Sequence, residues 1–157
     1  MHNQGEHAGI SDDLLAGWLT QTGHAYRARI YYADTDFSGF VYHARYLEFL
    51  ERGRSDYLRL AGIHHTQLAA SDQPLVWVVR RMEIEFAAPA RMDDIVTVET
   101  ITEAIGGARI IMSQIMLRGP TRLISAKVEA AVVTPEGKPR RFPKDWVGRL
   151  KPVAKPD

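Results

Sequence analysis

The stretch YYADTDFSGFVYHARYLEFLERGRSDYLRL, Tyr31 to Leu60, passes from an aromatic pair through two acids and a glycine into a segment of different period. From Tyr42 onward, Tyr46, Phe49, Leu50, Gly53, Tyr57 and Leu60 recur at steps of three and four, which predicts one helix of about five turns with a single apolar stripe. The other face carries Arg45, Glu48, Arg52, Asp56 and Arg59, with Glu48 and Arg52 at the i, i+4 spacing of a favourable ion pair. Gly62 is suited to end the helix. Gly53 lies inside the stripe, where it costs about 1 kcal/mol of helix propensity relative to Ala. A compensating close contact is therefore expected there, with sheet backbone against the helix.

Working outward, residues 1–10 are polar and expected to fray, and Ser11 can cap a short helix with Leu14, Leu15, Trp18 and Leu19 on one face, ended by Gly23. AYRARIYYA then alternates as a strand that delivers the chain to Asp34. Beyond Leu75 the period is that of strands: LVWVVRRMEIEFAA, DIVTVETITEAI, ARIIMSQIMLRG and RLISAKVEAAVVT. Pro89 with Asp93 and Asp94, then Gly106 and Gly107, then Gly119 and Pro120 separate them, and such brief turns predict antiparallel neighbours in sequence order. TPEGKPRRFPKDW closes the sheet, and Pro143 to Leu150 predict a final helical turn or two. The expectation is an α+β fold, five antiparallel strands with one helix across the apolar face. It divides into an extension at 1–24, a domain at 25–150 and a tail at 151–157.

With 157 residues and 45% hydrophobic content, one domain burying roughly 70% of its unfolded surface is expected. Twenty basic and 19 acidic residues give a net charge of +1, without the basic excess that nucleic acid calls for. The absence of cysteine removes thiolate chemistry, Cys-ligated zinc and disulfides, and fits a reducing, cytoplasmic setting. No signal core and no membrane-length apolar run is present, so a soluble chain is expected.

The chemistry narrows in the same way. There is no G-x-S-x-G elbow, so Ser38 reads as a turn or capping residue rather than a nucleophile. His64 and His65 are adjacent and lack zinc-ligand spacing, and IGGAR does not reproduce a dinucleotide loop. The pairs Arg80/Arg81 and Arg140/Arg141 fit phosphates, or simply solvate a strand and a loop. For Asp34 and Asp36 two readings stand. A carboxylate at a strand end, followed by a glycine loop and a helix N-terminus, sits beside free backbone N–H donors, which suits acyl chemistry. The same acids also serve as helix caps or an Asx turn.

The block YYADTDFSGFVYHARYLEFLERGRSDYLR resembles the signature of the 4-hydroxybenzoyl-CoA thioesterase family of hotdog-fold proteins, in particular its Tol-Pal-associated acyl-CoA thioesterase branch. The resemblance continues through VVRRMEIEFAAPARMDDIVTVET and, more weakly, to FPKDW, covering about residues 25–148. It implies a five-stranded sheet wrapped around the helix and thioester hydrolysis to an acid and free coenzyme A, with no cofactor beyond the CoA of the substrate. It makes Asp36 the catalytic carboxylate, has the backbone N–H of His43 polarise the carbonyl, and leaves Asp34 structural. Phe37, Ser38, Gly39 and Tyr42 become candidate substrate-binding residues, with Arg80 and Arg81, and also Arg140 and Arg141, as candidates for CoA phosphates across a homodimer or homotetramer. Phe37 and Ser38 depart from the small residues common in the branch, and Gly53 stands where alanine is frequent. Two alternatives stay open, a hotdog enoyl-thioester hydratase or dehydratase and a non-catalytic acyl-CoA-binding sensor or scaffold.

Overall fold

The computed structural model describes residue 15 and residues 17–150. The expected N-cap Ser11, Leu14 and the tail from 151 lie outside the described residues. Six strands form one antiparallel sheet: β1 Trp18–Leu19, β2 Gly23–Arg29, β3 Val76–Phe86, β4 Ile95–Gly106, β5 Arg109–Arg118 and β6 Thr121–Val133. The helices are α1 Arg45–Leu60, α2 His65–Ala69 and α3 Lys144–Arg149. A 3-10 turn at Tyr32–Asp34 replaces the end of the expected first strand, because the chain must turn out of the sheet before Asp36.

At Trp18 and Leu19, which are among the described residues, the sixth strand corrects the expected N-terminal helix. Trp18 and Leu19 pair with Ala25 and His24 as a short edge strand. Tertiary anchors outweigh the local helical spacing: the Gly17 N–H donates to Asp56 Oδ2 at 2.7 Å, and the Arg27 guanidinium lies 5.4 Å from the Trp18 ring centre.

The four later strands occur where alternation places them, but their order along the sheet is β1-β2-β4-β5-β6-β3. β3 and β4 are thus not neighbours, contrary to the expectation from short connections. The segment 87–94 carries the chain from one side of the sheet to the other, and β3 pairs with β6 instead. β3 therefore stands at an edge.

One face of the sheet holds the core. Along successive rows, Val98 meets Met116 and Met116 meets Ile124, while Thr100 meets Gln114 and Gln114 meets Ala126. Helix α1 lies over this face with Tyr46, Phe49, Leu50, Gly53 and Tyr57 of the expected stripe buried, joined by Leu58, while Leu60 is half-buried and Tyr42 exposed. It spans 16 residues, starting at Arg45 rather than Tyr42. It ends in a Schellman motif, with the Ile63 N–H on the Leu58 carbonyl at 2.8 Å and the Gly62 N–H on that of Arg59 at 3.0 Å. Glu48 pairs with Arg45 at 2.5 Å, three residues earlier, rather than with Arg52.

At Gly53 the close approach comes from sheet side chains, not sheet backbone. A Cβ there would sit 3.0 Å from Val98 Cγ1 and 3.4 Å from both Gln114 Nε2 and Thr100 Oγ1. Gln114, fully buried, donates from Nε2 to the Leu50 carbonyl and to Thr100 Oγ1, both at 2.9 Å, so the polar row beneath the helix is satisfied.

The helix packs on β1, β2 and β4 and leaves the β3 side less covered. A bulge between Val79 and Arg81 shifts the alternation of β3, so Trp77, Val79, Met82, Ile84 and Phe86 all oppose core residues of β6. Val79 and Phe86 nevertheless stay 51% and 48% exposed, so a seam lies open between α1 and the edge strand.

Candidate active site

Between the 3-10 turn and α1 the chain makes a tight hairpin. Thr35 and Val41 bridge antiparallel, the Asp36 N–H donates to the Phe40 carbonyl at 3.0 Å, and the Gly39 N–H donates back to the Asp36 carbonyl at 3.0 Å. Phe37, Ser38 and Gly39 form a three-residue loop whose last residue has φ +82°, a left-handed conformation that favours glycine. The loop leaves Asp36 exposed and Phe37 wholly in solvent.

Asp36 makes an Asx turn. Its Oδ1 accepts the Ser38 N–H at 2.8 Å and also the Ser38 hydroxyl, while Oδ2 accepts no hydrogen bond among the described residues. These two bonds, together with the nearby His43 imidazole, hold the carboxyl below the usual carboxylate range. At neutral pH it is an anion with one oxygen committed and one available. The capping and the chemical readings of this acid are compatible, because they use different oxygens.

Asp34 is held differently. Its Oδ2 accepts the Tyr31 N–H at 2.8 Å, its Oδ1 lies 3.6 Å from Arg45 Nε, and its carbonyl accepts the Tyr42 N–H at 2.9 Å. Both ends of the residue brace the loop against the start of α1.

His43 stands two residues before α1, in a turn rather than in the helix proper. Its backbone N–H meets no acceptor among the described residues. Its ring lies edge-on to Tyr42, with centres 4.7 Å apart, and to Phe86 at 6.5 Å. Tyr42 and His43 are both exposed.

Sequence reasoning treated Tyr46 as core, and it is buried, but its hydroxyl also accepts the Ala90 N–H at 2.9 Å. Val41 donates to the Ala90 carbonyl at 2.9 Å, and Arg91 stacks over Phe40 at 4.5 Å. The crossover 87–94 is thereby tied to the hairpin that carries Asp36. A helix-spaced tyrosine signals only burial, so its polar partner on a distant loop was not visible. Phe86, which packs on both His43 and Tyr46, shows in the sequence only as part of a strand.

The basic pairs are not at this site within one chain. Arg80 is the bulged residue of β3, and Arg81 lies opposite Glu129 on the face away from α1, paired with Glu83 at 2.6 Å. Arg140 and Arg141 line a separate cavity of about 600 Å³ beside Phe142, near the Trp77 end of β3. His64 precedes α2 and His65 stacks on Trp77 with centres 6.5 Å apart. Among the described residues no group of three or more His, Asp or Glu could hold a metal ion, and no helix is long and apolar enough to cross a membrane.

The profile of the Thioesterase superfamily matches residues 38–125. The chain belongs to this superfamily. The match takes in His43 and α1 and begins two residues after Asp36. Among curated relatives, a Haemophilus influenzae protein named acyl-CoA thioesterase YbgC is 36% identical over 138 residues, 88% of this chain and 92% of that one. An Escherichia coli protein named acyl-CoA thioester hydrolase YbgC is 38% identical over 125 residues, 78% of this chain and 92% of its own length. A solved structure of a probable thioesterase from Bartonella henselae is 52% identical, has a TM-score of 0.75, and spans 77% of this chain and 99% of that one. The hotdog fold and the resemblance to the Tol-Pal-associated branch stand with these findings, the sixth strand being a two-residue addition at the edge.

Proposed function

We propose that the protein is an acyl-CoA thioesterase, hydrolysing a thioester to a carboxylic acid and free coenzyme A. The carrying observation is that one hairpin and the turn after it present an ionised carboxylate at Asp36 with one oxygen, and a backbone N–H at His43, that have no hydrogen-bond partner among the described residues, in a chain of the thioesterase superfamily. The relatives named acyl-CoA thioesterase support the substrate class.

In this reading the His43 N–H takes the carbonyl oxygen and holds its charge as the carbonyl carbon becomes tetrahedral, a kind of donor whose loss typically costs about 3 to 4 kcal/mol in the transition state. Asp36 Oδ2 either attacks that carbon, giving an anhydride that water then opens, or draws a proton from a water that attacks. In both routes the C–S bond breaks and the thiolate leaves. The donor is main-chain, so replacing the His43 side chain costs less than replacing Asp36. Phe37, Ser38, Gly39 and Tyr42, all exposed, lie between these two groups or next to them in the chain and are the candidates for contact with the substrate.

A homodimer through the unpaired edge of β3 fits this site. An exposed edge strand is a pairing template, and the exposed Val78 and Val79 lie on it. Antiparallel pairing of two β3 strands sets the Phe86 end of one chain beside the Trp77 end of the other. The cavity of Arg140 and Arg141 would then approach the Asp36 of the second chain and meet CoA phosphates.

The deciding experiment is release of free thiol from a panel of acyl-CoA esters of graded length, with enoyl and hydroxyacyl esters alongside. Turnover of saturated esters is expected. Tight binding of the esters with no thiol release would make the chain a binding module, and hydration of enoyl esters without hydrolysis would make it a hydratase.

A further inference from the structure

The seam between α1 and β3 deepens into a cavity of about 230 Å³ with apolar walls that include Leu58, Trp77, Val79 and Met112. Arg54 lines it from α1. Arg54 is half-buried, and its one hydrogen bond among the described residues runs from Nη1 to Gln114 Oε1 at 2.9 Å. Gln114 is neutral and is held in place through its own Nε2 by Leu50 and Thr100, so it orients the guanidinium without neutralising it. Arg45, Arg59, Arg118 and Arg149 each have a carboxylate within 4.0 Å, whereas Arg54 has none among the described residues. Burial is the larger influence and lowers its pKa, while the Glu51 carboxylate on the same wall offsets part of that effect. A cation drawn into an apolar recess normally has a partner.

No residue lines both the recess and the candidate active site, but one strand and one helix run from the one to the other. Phe86 and Val79 belong to the same inward row of β3, and His43 leads into the same helix that carries Arg54. Arg54 lies nine residues beyond the first residue of α1, about 14 Å along the axis at 1.5 Å per residue. An acyl group that runs along the seam from a thioester carbonyl at His43 must span that distance for its far end to meet the guanidinium.

We propose that Arg54 is a specificity residue that reads an oxygen atom, hydroxyl or carboxylate, at the far end of the acyl group. The inference rests on the thioesterase reading of Asp36 and His43. A donor set left unpaired in a recess discriminates against a ligand that cannot fill it, because the plain alkyl analogue buries the donors without a partner. Glu51, also on the wall, accepts from Ser55 Oγ at 2.5 Å and makes no ion pair with Arg54, so a terminal hydroxyl faces one donor and one acceptor there, and a carboxylate faces both signs of charge.

The test compares kcat/KM for three CoA esters of equal length, octanoyl, 8-hydroxyoctanoyl and octanedioyl, in wild type, Arg54→Met and Arg54→Lys. The wild type is expected to prefer one oxygenated ester over octanoyl by at least tenfold. Arg54→Met brings that ratio close to one and Arg54→Lys keeps part of it; a ratio within one variant does not depend on how much folded protein is present. A wild-type ratio near one, or a ratio unaltered in Arg54→Met, overturns the proposal. In parallel, tryptophan fluorescence is titrated with the octyl and 7-carboxyheptyl thioethers of CoA. Tighter binding of the carboxylated thioether, lost in Arg54→Met, combined with no thiol release from any ester, would sink the thioesterase reading and leave the role of Arg54 standing. Equal binding of the two thioethers and a wild-type ratio near one, with sedimentation showing that Arg54→Met breaks up an oligomer, would assign the guanidinium to a contact between copies instead.

Discussion

Ser38 donates both its backbone N–H, at 2.8 Å, and its hydroxyl to a single oxygen of Asp36, and the second oxygen of that carboxylate has no donor among the described residues. The loop thus immobilises the acid by one oxygen and offers the other. Such an arrangement makes the consequences of changing either residue separable.

Asp36→Asn removes the anion while keeping the Asx geometry through the amide oxygen. Turnover of acyl-CoA is expected to fall by at least about a hundredfold, the scale of losing a general base or nucleophile, with the circular dichroism spectrum unchanged. Activity within a few fold of wild type would remove Asp36 from the mechanism. Asp34→Asn, which weakens the brace on Tyr31 and Arg45, should instead lower the unfolding midpoint; abolished turnover in a well-folded Asp34 variant would mean that the two acids have been assigned in reverse.

Ser38→Ala deletes the hydroxyl bond that does most to depress the Asp36 pKa. If the ionised form is the active one, activity falls as pH drops through that pKa. The acid limb of the kcat/KM profile should therefore move to higher pH in the variant, with the neutral-pH plateau reduced far less than in Asp36→Asn. A limb that stays in place would detach the profile from Asp36.

Gly53→Ala opposes two effects. Alanine gains about 1 kcal/mol of helix propensity. Its Cβ, however, would stand 3.0 Å from Cγ1 of Val98, a fully buried side chain of β4. Overpacking of that kind costs about 1 to 3 kcal/mol, so a net loss of about 1 kcal/mol is expected in urea unfolding. A gain in stability would show that the sheet yields at this point.

His24, buried on β2, donates from Nε2 to Asp56 Oδ2 at 2.7 Å and stacks on Tyr57. Burial is the larger influence on the imidazole and lowers its pKa in spite of the carboxylate. In the unfolded chain a histidine titrates near about 6.5, so below that pH the unfolded state binds the extra proton and the folded state loses ground. The contribution is fully present above about pH 6.5 and is lost as pH falls from there through the lowered folded value. Urea midpoints at pH 8 and pH 5.5 should differ more in wild type than in His24→Gln, and an equal difference would rule out His24 as the source.

Much of this molecule can be read directly from local pattern. The three- and four-residue recurrence from Tyr46 to Tyr57 sets which side of α1 is buried, the alternation after Leu75 places four strands within a residue or two of their bounds, and Asp36 before Phe37-Ser38-Gly39 marks a tight loop ahead of a helix. These features depend on neighbours a few residues apart, and so the chain alone determines them. Periodicity says which face a strand buries and is silent on what it pairs with. Only the folded sheet decided that β3 joins β6 at the edge, that Trp18 and Leu19 extend β2, and that the bulge at Arg80 turns Val79 inward and Arg81 outward. The open seam beside α1, and Arg54 within it with Gln114 as its hydrogen-bond partner, exist because residues far apart in the chain were brought to one place by non-local strand pairing.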